Sequence, residues 1–179
     1  MNLKHLVPQI PLLLISWLFA CVLTYLVYFQ DITLALIPLL FAGLVMLNFH
    51  KALKMAKPKS IILEVLGCYV ICGWVLLMAL ANLGFMMSEV GMTIAIISSM
   101  LLIFYLNSFL FKYKLWNWGM LICIILGVII IPLANALYSL SVLHSHFKYP
   151  FIIIALWQLF SAITIGVSIP PSSSQNKLS

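Results

Sequence analysis

Residues 116–140 read WNWGMLICIILGVIIIPLANALYSL. This stretch carries no charged side chain, and it is longer than the ~20 apolar residues that an α-helix needs to cross a bilayer. A segment in hydrocarbon must satisfy its own backbone N–H and C=O groups, and the alternating pattern of a membrane strand is absent. The stretch is therefore predicted to be a transmembrane helix.

Five further stretches have the same apolar character, and the composition of the whole chain agrees with them. Only 7% of the residues are charged and 65% are hydrophobic, whereas a soluble domain is about a quarter charged. We predict an all-α, polytopic membrane protein, with a compact bundle of six transmembrane helices over residues 1–170 and a disordered tail over 171–179. The predicted spans are residues 8–29, 32–49, 61–87, 90–111, 116–140 and 150–169.

The distribution of basic residues predicts the orientation of these spans. All nine are lysines, and if the N-terminus is cytoplasmic, eight fall in cytoplasmic segments and only Lys148 falls outside, together with the acidic Asp31 and Glu89. Loops rich in lysine face the cytoplasm, so both termini are expected there. We expect a bacterial inner (plasma) membrane as the location, since no organelle signal is visible.

Four of the lysines lie in one short stretch, HKALKMAKPKS, at residues 50–60. This stretch is the predicted cytoplasmic loop between the second and third spans. Lys51, Lys54, Lys57 and Lys59 are expected to contact anionic lipid headgroups, at ~1 kcal/mol for each lysine near the surface. Nucleic acid is not an expected partner, because no arginine or interleaved aromatic residue accompanies the lysines.

Small residues at helical spacing predict how the helices pack. Gly119, Cys123 and Gly127 share one face of the fifth span, and Ser16 and Ala20 share a face of the first. Helices in lipid approach one another closely at such residues. The spacing is compatible with the interior of a compact bundle and equally with the face of a homodimer.

Polar residues within the spans are the candidate functional residues. Glu64, His50 and Asn107 are expected near the cytoplasmic end, where Glu64 with His50 or Asn107 would form a proton or ligand site, because ionisable groups in a membrane are costly. The alternative is that Glu64 reaches water or pairs with a lysine of the 50–60 loop.

A second set of residues is predicted nearer the middle and the outer end of the bundle. These candidates for a ligand-binding cavity are Asn82, Asn135, Trp157 and Gln158. For the asparagines, the alternative interpretation is hydrogen bonding between helices, worth ~0.6 kcal/mol each.

The chemistry that the sequence lacks argues against an enzyme. The motifs H-E-x-x-H and G-x-S-x-G are absent, there is no arginine, and only three acidic residues are present. A carboxylate pair for general acid–base catalysis is therefore hard to assemble. His144 and His146 are only two metal ligands in one predicted loop. No catalytic residue, metal or cofactor is expected.

Two segments resemble the intracellular septation protein A family. The first is similar to that family's second span and following loop, and the second, from Trp116 to Tyr138, is similar to a late span. The residues that carry the first likeness are Asp31-Ile32, Ala42, Val45 and Lys54-Met55-Ala56. The resemblance implies a multi-pass inner-membrane protein of the cell envelope, associated with division and envelope-synthesis proteins, with no catalytic residues to carry over.

Two functions are compatible with these features. The first is a non-enzymatic protein that scaffolds or regulates a cell-envelope complex, with other membrane proteins or a second copy of the chain as partners. The alternative is a small-molecule carrier or the substrate-binding subunit of a transporter. In length and number of spans the chain resembles the binding subunits of energy-coupling-factor vitamin importers, with Ser16 and Ala20 in place of their two-alanine signature.

Overall fold

The computed structural model describes residues 10–28, 33–81, 89–111, 113–139 and 149–169. Six α-helices make up almost all of that part of the chain, which confirms the all-α prediction. Their bounds are α1 Ile10–Tyr28, α2 Thr33–Phe49, α3 Lys57–Ala81, α4 Glu89–Leu110, α5 Trp118–Tyr138 and α6 Tyr149–Ser168. A short 3₁₀ turn, His50–Ala52, follows α2.

Two helix starts differ from the predicted spans for local reasons. Helix α3 begins at Lys57 instead of residue 61. Pro58 fits its first turn, because proline has no backbone N–H group and the N–H groups of a first turn have no partner within the helix. Helix α5 begins at Trp118 because Asn117 caps it, with extended backbone and a side-chain oxygen that accepts from the Gly119 N–H at 2.8 Å. Neither difference alters which helices form.

Within the described residues, three helices are long and apolar enough to cross a membrane. They are Glu89–Leu110, Trp118–Tyr138 and Phe151–Ser168, and Pro11–Leu26 and Leu36–Ala52 are shorter apolar helices. The prediction of a membrane protein is thus supported by three candidate spans. The count of six spans stays a prediction.

Helix α6 lies at the centre of the bundle. Consecutive helices pack against each other along the chain, and α6 also contacts α1, α2 and α4 in addition to α5. Large apolar side chains with almost no exposure fill the space between the helices. Among them are Phe41, Met100, Ile103, Ile130 and Ile165. Polar side chains of α6 that point into this space are therefore enclosed by several helices.

The stripe of small residues on α5 packs within the chain. Gly127 lies against α4, where an added Cβ would stand 2.8 Å from Cγ1 of Ile97. Gly119 lies against α6, where an added Cβ would overlap the hydroxyl of Ser168. Cys123, between the two glycines, is fully buried. The stripe therefore lets α5 approach both neighbours closely, as predicted for the interior of a bundle.

The small residues of α1 take part in packing against α2. Ala20 is buried. The hydroxyl of Ser16 donates to the Leu12 carbonyl at 2.8 Å and accepts from Nδ2 of Asn48 on α2 at 2.8 Å. A side-chain hydrogen bond thus joins these two helices.

The loop after α2 is attached to the end of α4. Leu53 and Phe111 form a short antiparallel bridge, and the Lys54 N–H donates to the Leu110 carbonyl at 2.8 Å. The Lys54 ammonium donates to the Ser108 carbonyl at 2.6 Å. A lysine at a helix C-terminus interacts favourably with unpaired carbonyls and the helix dipole. These bonds fix the ends of α2 and α4 relative to each other, next to the polar groups described below.

Candidate functional site

Glu64 of α3 and Asn107 of α4 form a buried pair. Both side chains are 0% exposed. Nδ2 of Asn107 donates to Oε1 of Glu64 at 3.2 Å and also to the Ile103 carbonyl at 2.9 Å. The thiol of Cys68, one turn along α3, donates to the same Oε1 at 3.7 Å. One carboxyl oxygen therefore receives two donors.

The other oxygen of each partner has no donor. Oε2 of Glu64 and Oδ1 of Asn107 are buried and lack a hydrogen-bond partner among the described residues. Both atoms are hydrogen-bond acceptors, so the group that would pair with either of them is a donor or a cation. A proton on the carboxyl, an enclosed water or a small cation would each satisfy them.

The surroundings of this pair are enclosed and polar. Ser60, one turn before Glu64 on α3, is 0% exposed, and its hydroxyl donates to the Ala56 carbonyl at 3.3 Å. The Tyr113 hydroxyl donates to the Phe104 carbonyl at 2.7 Å. Burial raises the pKa of the Tyr113 phenol, and the nearby Glu64 carboxyl adds to that rise. Tyr113 thus remains a neutral donor close to the pair.

His50 does not join this pair. It is half-buried, its Nδ1 lies 3.2 Å from the Leu47 carbonyl, and it lines a groove between α2 and α3. Of the two partners predicted for Glu64, the structure therefore selects Asn107. The alternative in which Glu64 reaches water is wrong, because packing between α3 and α4 removes its side chain from solvent entirely.

A second polar group lies in the middle of α6. Gln158 is 0% exposed, and neither its Nε2 nor its Oε1 has a partner in the part of the chain that the structure describes. The Ser161 hydroxyl, three residues further along the helix, is equally buried and unpartnered there. Leaving a buried polar atom unpaired costs roughly 1–3 kcal/mol. These three polar atoms lie on one face of α6, and none has a hydrogen-bond partner among the described residues.

Trp157, the residue before Gln158, places an aromatic side chain at the same level of the bundle. The Trp157 ring lies 5.0 Å from the ring of Phe41 on α2, and its Nε1 donates to the Ser99 hydroxyl of α4 at 2.9 Å. Ser99 precedes Asn107 by eight residues on the same helix, which corresponds to ~12 Å along the axis. The bundle therefore holds two buried polar layers about two helical turns apart.

The remaining ligand candidates lie elsewhere. Asn135 is exposed, and its Nδ2 donates to Oε1 of Glu89 at 3.2 Å, which joins α5 to the start of α4. Asn82 lies outside the described residues, as do His144 and His146 of the two-ligand metal prediction. No group of three or more His, Cys, Asp or Glu that could hold a metal occurs in the described ranges.

The basic loop residues have different environments. All four lysines of the loop, Lys51, Lys54, Lys57 and Lys59, are exposed, as lipid contact requires. The Lys54 ammonium also donates to the carbonyl of Ser108. Contact of this loop with anionic lipid stays a prediction, and the structure gives Lys54 a partner within the chain.

Sequence reasoning missed two contributors to these layers. Ser99 was not among the predicted site residues, although its hydroxyl accepts the Trp157 hydrogen bond. What indicates it in the sequence is a hydroxyl side chain within an apolar helix. The position of Tyr113 next to Glu64 follows from the chain path after α4, and no sequence pattern indicates it.

No family model matches the chain, and neither a curated protein nor a solved structure is similar enough to give a match. The resemblance to the intracellular septation protein A family therefore stays a prediction.

Proposed function

We propose that the chain is a six-span protein of a bacterial inner membrane with both termini in the cytoplasm. Three candidate spans and the strong lysine asymmetry support this topology. The outward faces of the other helices support it too, since Leu18, Phe19 and Val22 on α1 and Leu66 and Val70 on α3 are more than half exposed. Apolar surface of this extent is typical of helices that face lipid.

Within this topology, we propose that the protein is a non-enzymatic carrier of a small polar molecule, which binds in the interior beside Gln158. The observation that carries the proposal is that both polar atoms of this fully buried side chain lack partners among the described residues. Such a side chain lowers the stability of an empty bundle. A bound molecule that pairs with it would offset that cost.

The chemistry of the site indicates the class of molecule. The Gln158 amide offers one donor and one acceptor side by side, and the Ser161 hydroxyl adds a group that can do either. Trp157 and Phe41 provide flat apolar surfaces on the same level of the bundle. The best match is a small neutral molecule with an amide-like edge.

In this proposal, the Glu64–Asn107 pair is a second binding site of the carrier. Its two unpartnered acceptors suit a proton or a small cation. Acidic residues inside membrane bundles commonly mark such ion pathways. The pair lies ~12 Å from Ser99 along α4. Binding of a proton or cation at the pair would couple transport of the neutral molecule to an ion gradient.

The test compares molecules that remain bound after purification. Wild type and Gln158→Met are purified in a mild detergent, extracted with organic solvent and analysed by mass spectrometry. Methionine keeps the shape of the side chain and removes its polar atoms. We expect a small polar compound in the wild-type extract and its loss from the variant. Identical extracts would contradict the proposal.

A matched control is Thr93→Val on α4. This substitution also removes a polar group from a helix, but the Thr93 hydroxyl has a partner, since it donates to the Glu89 carbonyl of its own helix at 2.7 Å. It should leave the bound compound unchanged.

We propose scaffolding of an envelope complex as the second candidate function. It is favoured by Gly73 on α3, where an added Cβ would meet no described atom within 4 Å. A helix of another protein can approach closely at such a position. If scaffolding is the function, Gly73→Leu should abolish stoichiometric co-purification of a membrane partner and leave the extracted small molecules unchanged.

A further inference from the structure

A groove of about 480 Å³ runs between α2 and α3, within the ~300–1,000 Å³ typical of ligand sites. Its walls are apolar over most of its length. They include Leu39, Met46, Ile61 and Val65. At one end the lining changes to His50 and Lys57. The groove is thus an apolar channel with a cationic mouth.

The length of the groove matches one leaflet of a bilayer. From Leu39 to Phe49, the end of α2, the helix rises ~15 Å. Half of a hydrocarbon core of about 30 Å is the same distance. With the basic loop at the cytoplasmic surface, the apolar part of the groove would cross the inner leaflet, and the cationic mouth would lie at headgroup depth.

The mouth combines three sources of positive potential. Lys57 is the first residue of α3, so its side chain lies beside the positive end of the helix dipole. Lys51 and Lys59 are exposed nearby. The His50 ring also lies at the mouth, with its Nδ1 3.2 Å from the Leu47 carbonyl.

Nearby groups leave this charge uncompensated. Glu64 is fully buried between α3 and α4, and Glu89 begins α4 at the end opposite to the attached loop. Lys54 lies in the same loop, but its ammonium binds the Ser108 carbonyl. Lys57 is therefore the cationic side chain of the groove lining that is available to an anion at the mouth.

We propose that this groove binds one anionic phospholipid of the cytoplasmic leaflet. An acyl chain lies along α2 and α3, and the phosphate lies beside the Lys57 ammonium at the start of α3. The inference rests on the proposed membrane topology and is independent of the proposed carrier function. It goes beyond general attraction of the basic loop to the membrane, because it assigns one lipid to a shaped site.

The test is native mass spectrometry of the purified protein with equal amounts of phosphatidylglycerol and phosphatidylcholine added in detergent. We expect one retained phosphatidylglycerol per wild-type chain, in clear preference to phosphatidylcholine. Lys57→Gln should reduce this retention about fivefold, which corresponds to ~1 kcal/mol for one lysine near an anionic headgroup. Lys114→Gln, at an exposed lysine outside the groove, is the matched charge control and should have no effect.

A second variant tests the acyl-chain part of the site. An added Cβ at Gly43, which lines the groove, would meet no described atom within 4 Å. Gly43→Leu should therefore fold normally, fill the groove and abolish retention of both lipids. Equal retention of the two lipids by the wild type would overturn the proposal. So would undiminished phosphatidylglycerol on Gly43→Leu.

The same preparations separate this proposal from the carrier function. The compound lost from Gln158→Met should stay bound to Gly43→Leu, and the lipid lost from Gly43→Leu should stay bound to Gln158→Met. Each proposal can therefore fail without the other.

Discussion

Asn107 of α4 donates its side-chain amide to Glu64 of α3 at 3.2 Å, and neither side chain has any exposed surface. A hydrogen bond between two helices inside a membrane bundle fixes their rotation as well as their distance. The two side chains also depend on each other, because substitution of either one leaves the other buried without its partner.

We predict that Asn107→Leu lowers the free energy of unfolding by about 1–3 kcal/mol, because Glu64 then loses its interhelical donor while remaining buried. The double variant Glu64→Leu, Asn107→Leu should be more stable than Asn107→Leu alone, since it leaves no buried carboxyl. Thermal unfolding in detergent measures both. Additive losses in a double-mutant cycle would show that the two side chains do not depend on each other.

We predict that Gln158→Met raises the free energy of unfolding of the ligand-free protein by about 1 kcal/mol. The substitution removes two buried, unpartnered polar atoms while keeping the volume of the side chain. Unfolding of wild type and variant after exhaustive washing in detergent gives the comparison. A loss of stability would mean that Gln158 has a protein partner, which would remove the main support for a binding site.

We predict that Gly127→Leu destabilises the bundle by about 1–3 kcal/mol or more through overpacking. The new side chain would have to displace Ile97, whose Cγ1 lies 2.8 Å from the added Cβ position. The control is Gly43→Ala, which has open space and should gain about 0.5–1 kcal/mol from helix propensity. Similar thermal unfolding of both variants would contradict the packing of α5 on α4.

We predict that Lys54→Gln loosens the loop after α2, because its ammonium no longer binds the Ser108 carbonyl. Hydrogen exchange at residues 50–56 should become faster, by an amount corresponding to about 0.5–1.5 kcal/mol. Lys51→Gln, at an exposed neighbour, is the control and should leave exchange unchanged. Equal effects of the two substitutions would indicate that only the charge of the loop matters.

The sequence predicts the helices well because long apolar runs are a strong pattern, whereas contacts depend on helix rotation. The order and type of all six helices agree with the predicted spans. Helix α3 begins four residues before the predicted span, because a span is recognised by its apolar run, whereas Pro58 and the lysines on either side of it fit the first turn of a helix.

The candidate site was only partly predictable. Glu64 stands out as an acid in an apolar run, but whether it would contact His50 or Asn107 depends on how α3 and α4 turn towards each other. Gln158 was a candidate by its polarity, and its lack of partners among the described residues emerges only from the packed neighbours of α6. The groove between α2 and α3 likewise depends on their separation, which apolar residues alone do not encode.

The carrier function requires a small molecule bound beside Gln158. The most direct measurement is the native mass spectrum of the intact protein carrying Gly43→Leu, which removes the proposed lipid and leaves the interior site unchanged. We predict a mass above that of the polypeptide by one small polar compound, and the bare polypeptide mass when Gln158→Met is added. A bare polypeptide without that second substitution, in protein purified under the mildest conditions that keep it folded, would contradict the claim.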